Sequence, residues 1–425
     1  MIKAFLCGSK DKVKSAYLWN TSAAMLNAFQ TVFILMLISR IDPVIDAGIF
    51  TIAFAIGNLM LSIGKFGVRQ FQVSDVKETY SFKEYVFLRI LTCVLMILAF
   101  SAYVGYYYAV GAYSTEKCLV ILLVCMTKVV DAVEDVLHGM LQQHIRLDIA
   151  GKILTIRITS YIIVYLIIYA ATQNLLMASL IALAVSVVQF LILNYIAFKD
   201  FAIQWKRGVK WFQIWNLGRE CFPLFIASYL VIYIGNAPKY AIDKVMSSEA
   251  QACFNYIFMP VFVISLMSQF VYQPVISKMA LLWHEKNISQ FKKMIFKQTG
   301  LIVLLSMVAV VGGYVLGIPV LSIIYGVNLE AYKTALVILL LGGGALAFVN
   351  FLQMIITIAR KQNLLIIGYL LAFLTFLFCG KMVVKSFGIV GISVFYTLLV
   401  SVIGLIFIGV TIGIIRKSRD GNNKK

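Results

Sequence analysis

The sequence predicts an all-α membrane protein of about twelve transmembrane helices. Three observations carry this reading. Of 425 residues, 62% are hydrophobic and only 13% charged, with a mean hydropathy of +0.93, too little charge to cover a soluble surface. Apolar stretches near the roughly 20 residues needed to cross a bilayer repeat almost end to end. Strand-type alternation is absent and each run exceeds the ~10 residues of a barrel strand, which excludes a β-barrel.

In order, the expected spans are 16–39, 44–63, 86–108, 118–141, 153–172 and 175–198, then 220–238, 252–275, 298–319, 332–356, 363–383 and 388–415. The segment before the first span is basic and lacks the apolar core of a cleaved signal peptide, so that span is expected to stay in the mature protein. A polar stretch at 199–219 separates the two sets. Its basic residues are interleaved with Trp205, Trp211 and Trp215, a pattern expected of a short helix lying in the membrane interface. The stretch divides the chain into six-helix lobes at 1–205 and 206–425. Pro260 and Pro274 bracket the eighth span, where missing backbone donors are expected to kink or end the helix. The glycines 312, 313, 317 and 342–344 permit close helix contacts.

Of the 37 basic residues, 27 fall on one side of the alternating loops and 7 on the other, while Arg89, Lys128 and Arg157 lie inside helices. This asymmetry places both termini in the cytoplasm and supports an even number of spans. The net charge of +19 therefore reads as a topology signal and an attraction to anionic lipids, not as a nucleic-acid surface. The seven cysteines are odd in number and mostly apolar in context, so neither a disulfide framework nor a metal site is expected. HExxH, GxSxG and phosphate-loop motifs are missing, so no catalytic residues and no cofactor are expected.

The fourth span is the most informative. Lys128, Asp131, Glu134, Asp135, His138 and Gln142 share an arc of about 120° on a helix. Each charge would cost roughly 2.5–3.5 kcal/mol or more against lipid at mid-membrane, so the stripe must face water or protein. Lys128–Asp131 and Glu134–His138 have the spacing of intrahelical pairs. The stripe is either the wall of a hydrophilic cavity, with groups able to carry protons, or an interhelical clamp. A second cluster, Asn236, Lys239 and Asp243, follows the seventh span, and Arg40 ends the first. Each is a solvated helix end or a place where a cation meets an anionic substrate.

Several segments resemble the bacterial polysaccharide flippases, the Wzx-type branch of the multidrug/oligosaccharidyl-lipid/polysaccharide (MOP) transporter superfamily. They are Ser39–Arg40 with KFGVRQFQVSD at 65–75, DAVEDVLHGMLQQHIRLDIAGK at 131–152, and NAPKYAIDKVMSSEAQACFNYIFMP at 236–260 followed by QPVISKMALLW. The resemblance implies two six-helix lobes around a basic cavity in the bacterial cytoplasmic membrane. It implies export of undecaprenyl-diphosphate-linked oligosaccharide by alternating access, with a polysaccharide polymerase and chain-length machinery as partners and a proton or sodium ion as coupling ion. On that basis Arg40, Lys128, Asn236, Lys239 and Asp243 are expected to meet substrate, and Asp131, Glu134, Asp135 and His138 to line the cavity or couple transport. The fourth-span stripe departs from the expected polarity, with three acids against one lysine. A drug/cation antiporter of the same superfamily would carry an acid within the first span, and none lies there. A lipid II flippase is a third reading and a polytopic polymerase a fourth; the short outer loops argue against the polymerase.

Overall fold

A computed structural model describes residues 2–42, 45–75, 79–199, 210–272, 275–361 and 363–420. These residues are helical with no strand among them. The chain forms two compact units, Met1–Ile232 and Tyr233–Lys425.

In the first unit a short α1 (Ile2–Cys7) precedes α2 (Lys12–Ile41), α3 (Asp46–Lys65), α4 (Val68–Ser74), α5 (Phe82–Ala109), α6 (Thr115–Gln143), α7 (Leu147–Thr172) and α8 (Leu175–Phe198). Local chemistry sets several boundaries. Asp11, Ser114 and Asn174 accept the orphan amides of Lys14, Lys117 and Met177 at the starts of α2, α6 and α8, and Ser81 with Glu84 forms a capping box on α5. Phe66 (φ 47°) and Gly67 (φ 69°) both enter the left-handed region and break the chain sharply between α3 and α4. α3 is buried along most of its length; α2 packs on α7, and α3 on α5 and α6.

The helix α9 (Trp211–Asp243) carries the boundary between the units. Trp211 and Trp215 occupy its first turns, where the sequence suggested a separate interfacial helix. Trp205, Lys206 and Arg207 lie outside the described residues.

In the second unit follow α10 (Ser248–Tyr272), α11 (Ile276–His284), α12 (Ile288–Gly312), α13 (Ile318–Tyr325), α14 (Lys333–Ile358) and α15 (Asn363–Asp420). α10 runs through Pro260 without ending; Pro274 lies outside the described residues. A π turn at Gly313–Gly317 joins α12 to α13. The glycines of α14 each serve a different neighbour. A Cβ on Gly342 would press on Thr397 of α15, one on Gly343 would stand 3.1 Å from the Val261 backbone of α10, and one on Gly344 would stand 2.9 Å from Ser306 of α12.

Ten helical segments among the described residues are long and apolar enough to span a membrane. α6 is not among them because of its charges. α15 has 58 residues and breaks at Gly388 (φ 59°, ψ −150°), a conformation open essentially to glycine alone, so it supplies two spans. With α6 and the divided α15, the twelve spans of the sequence are accounted for.

Candidate functional site

The site grows from the polar stripe of α6. Lys128, Glu134, Asp135 and His138 are all buried, so each charge must find a partner inside the protein. The partners come from the surrounding helices. Arg157 of α7 donates to Asp131 at 2.5 Å and to Glu134 at 2.9 Å. Asn194 of α8 donates to the other Glu134 oxygen at 3.2 Å. Lys128 reaches Asp131 at 3.3 Å and sits over the Phe54 ring of α3. Arg89 of α5 donates to Asp135 at 2.9 Å and to the Gly64 carbonyl, which also accepts from Thr92 Oγ1 at 2.8 Å. Arg69 of α4 lies 3.5 Å from Asp135 and donates to Gln142 at 3.0 Å, and Lys65 lies 3.8 Å from Asp135.

This arrangement corrects the apparent acidity of α6. The three cations inside helices, Arg89, Lys128 and Arg157, match Asp131, Glu134 and Asp135 one for one. Lys65 and Arg69 are then surplus positive charge at the partly exposed edge, with side chains 44% and 28% exposed. The Glu134–His138 pair allowed by spacing is not formed, because Arg157 and Asn194 occupy the Glu134 carboxylate. His138 Nε2 has no hydrogen-bond partner among the described residues.

These groups enclose a cavity of about 120 Å³ within the first unit. Lys65, Arg69, Lys128, Asp131, Glu134, Asp135, His138 and Arg157 line it, with the amides of Asn27 and Gln30 from α2 and Asn58 from α3. At roughly 30 Å³ per water, the space suits a few waters or one phosphate-sized group. The arrangement can bind an anion through Lys65 and Arg69 and satisfy hydroxyl or phosphoryl oxygens through the three amides.

The remaining expected residues lie elsewhere. Arg40 is exposed in the last turn of α2 and does not line the cavity. Asn236, Lys239 and Asp243 fall on one face of the end of α9, in the second unit. Lys239 is buried, and its ammonium faces the rings of Phe258 and Phe262 at 5.6 and 5.8 Å, without an ion pair among the described residues.

The backbone matches solved transporter structures over nearly its whole length. An inward-facing multidrug-resistance MATE family transporter of the MOP superfamily superposes with a TM-score of 0.71 at 12% identity, over 94% of this chain and 96% of that one. A MATE transporter in a bent conformation gives 0.60 at 12% identity, over 97% of each chain. A MOP superfamily transporter from Pyrococcus furiosus, described as having a binding pocket whose reverse polarity suggests a different function, gives 0.53 at 12% identity, over 96% of each. The fold is that of the MOP superfamily transporters. In sequence, the chain is 24% identical over 324 residues to the capsular polysaccharide biosynthesis protein CapF of Staphylococcus aureus, covering 75% of this chain and 79% of that protein. No family model matches.

Four basic residues of the site escaped the sequence reading as site residues. Arg89 and Arg157 carried a usable signal, since an arginine inside a span requires a carboxylate partner. Lys65 and Arg69 carried none, because they count equally well as loop charges.

Proposed function

We propose that this multi-pass membrane protein is a flippase for polyprenyl-diphosphate-linked oligosaccharides used in building a surface polysaccharide. The observation that carries the proposal is the surplus of Lys65 and Arg69 beside a polar cavity whose other charges cancel. A diphosphate needs fixed cations and hydrogen-bond donors at close range, and this edge offers both. The relative named for capsular polysaccharide biosynthesis supports the same substrate class.

The sequence reading placed Lys128 among the substrate cations. Its contacts with Asp131 and Phe54 now favour a supporting role, with Lys65 and Arg69 meeting the phosphates and Asn27, Gln30 and Asn58 meeting hydroxyls. The cavity volume suits the phosphate end of the substrate and not an oligosaccharide. Arg40, Asn236, Lys239 and Asp243 stay in the proposal as further substrate contacts. Export is driven by a proton or sodium gradient across the bacterial cytoplasmic membrane, with both termini inside, and the product passes to a polymerase and its chain-length partners.

A drug/cation antiporter with this fold is the second reading. It requires a carboxylate available to an organic cation, whereas Asp131, Glu134 and Asp135 are each held by arginine or lysine. Deleting the gene decides between them. Loss of a flippase leaves oligosaccharide on polyprenyl diphosphate accumulated at the inner leaflet and surface polysaccharide missing, and the Lys65→Ala/Arg69→Ala double variant fails to restore export at normal protein level. Normal polysaccharide with no accumulated intermediate, together with drug sensitivity, would establish the antiporter instead.

A further inference from the structure

The first unit contains a second cavity, of about 480 Å³, that the polar site does not use. Two helix faces build it. Leu88, Leu91 and Leu95 of α5 stand at the spacing of one helical stripe, and Trp211, Trp215 and Phe222 of α9 form the opposing one. Gly218 lies between the α9 side chains and keeps that wall low; a Cβ there would only just touch Leu88, at 3.7 Å. The stripe from Trp211 to Phe222 is about 16 Å long at the helical rise. Its side chains are largely exposed. The one charged group among the described residues lining the groove is Arg219, whose guanidinium stacks 5.5 Å over the Trp215 ring.

Consecutive residues line the two cavities. Lys65 lines the polar cavity and Phe66, the next residue, lines the groove. The wall between them is the end of α3, pinned where Arg89 and Thr92 both donate to the Gly64 carbonyl; Thr92 itself lines the groove. An anionic end held at Lys65 and Arg69 would therefore lie next to a residue whose chain neighbour, Phe66, lines the apolar groove.

We propose that the α5–α9 groove holds the polyprenyl chain of the substrate next to its diphosphate, while Lys65 and Arg69 hold the diphosphate. This rests on the flippase reading and extends it. Charge complementarity selects the occupant, because the cationic edge at Lys65 and the guanidinium of Arg219 suit an anionic headgroup carrying a long apolar chain. The sharp left-handed turn at Phe66–Gly67 is the point at which the ligand changes from polar to apolar surroundings. It also brings Phe66, which lines the groove, onto the Phe225 ring of α9, stacked at 4.6 Å.

The test uses the full chain in nanodiscs and a polyprenyl diphosphate carrying a diazirine on its chain near the diphosphate. After irradiation, the label is expected on peptides of α5 and the first turns of α9. Excess unlabelled polyprenyl diphosphate should displace it, and excess phosphatidylglycerol should not. Gly218→Leu, which raises the low wall, should cut this labelling about tenfold with the thermal midpoint unchanged. Should that variant unfold, Leu91→Trp fills the groove from the other side and replaces it. Saturable binding with the label on other helices, or labelling indifferent to both variants, would overturn the groove and leave the flippase reading standing. Equal displacement by phosphatidylglycerol would make the groove an ordinary lipid site and also overturn the inference. Absence of any saturable polyprenyl diphosphate binding would remove the flippase reading and the inference together.

Discussion

The pair formed by Arg89 and Asp135 should behave asymmetrically when each partner is removed. Arg89 is 1% exposed and has two acceptors, the Asp135 carboxylate and the Gly64 carbonyl. Asp135→Ala leaves that guanidinium buried with a single neutral acceptor, and an uncompensated buried charge of this kind costs roughly 3–5 kcal/mol. Arg89→Met leaves Asp135 with Arg69 at 3.5 Å and Lys65 at 3.8 Å, and leaves Gly64 with Thr92. The loss is then mainly one charge-assisted hydrogen bond, about 1.5–3 kcal/mol. The double variant removes the charge and its partner together, so it should be more stable than the sum of the singles by roughly 2–3 kcal/mol. Buried cysteines such as Cys93, Cys125 and Cys221 make a thiol-reactive dye a direct reporter of unfolding in detergent. Equal and additive losses in the two singles would refute the assignment of Arg89 to Asp135.

Three further outcomes follow from particular contacts. Lys152 of α7 donates to Phe5 O at 2.6 Å and Ser9 Oγ at 2.7 Å and so holds α1 against α7; in a Cys379→Ser background, Lys152→Met should raise the labelling rate of Cys7 by about 10- to 100-fold, the equivalent of one charged hydrogen bond. Asp75 is held below the usual carboxylate range: burial pushes it up, but the amides of Thr79 and Tyr80 and the Tyr85 hydroxyl outweigh this. Because its folded value is depressed, its stabilisation is complete above the unfolded value and is lost as the pH falls below about 4; amide exchange at Thr79 and Tyr80 should accelerate there in the native chain and should be pH-insensitive, beyond the intrinsic rate, in Asp75→Asn. Gly388→Ala should cost about 1–3 kcal/mol through backbone strain alone, since the new methyl would meet no atom within 4 Å; a thermal midpoint unchanged from that of the native chain would show that α15 runs straight through this point.

The helices were legible because a membrane span announces itself by length and hydropathy, and the break between 383 and 388 was placed within a residue of Gly388. The π turn at Gly313–Gly317 was not; a side chain at Gly313 or Gly317 would press on Leu340 or Leu336 of α14, a tertiary constraint that the local sequence does not display. In the site, the 3.6-residue period exposed the α6 stripe. The identity of its partners was hidden because Arg89, Arg157 and Asn194 come from three other helices, and only packing selects which carboxylate each one meets. Lys239 was visible as part of a polar cluster with Asn236 and Asp243, but its aromatic neighbours on α10 were not.

The charge matching of α6 also bears on how the chain enters the membrane. Alone, its four central charges would raise the cost of leaving the insertion channel by roughly 10–14 kcal/mol. α5 emerges first with Arg89, and α7 emerges last with Arg157. Neither arginine is satisfied until α6 lies between them. On this count α6 is expected to stay beside the channel until α7 has been synthesised, and the three helices to enter lipid together with their central charges matched. Damage to Arg157 should then first appear as misinserted, degraded protein during synthesis, before any effect on transport is measured.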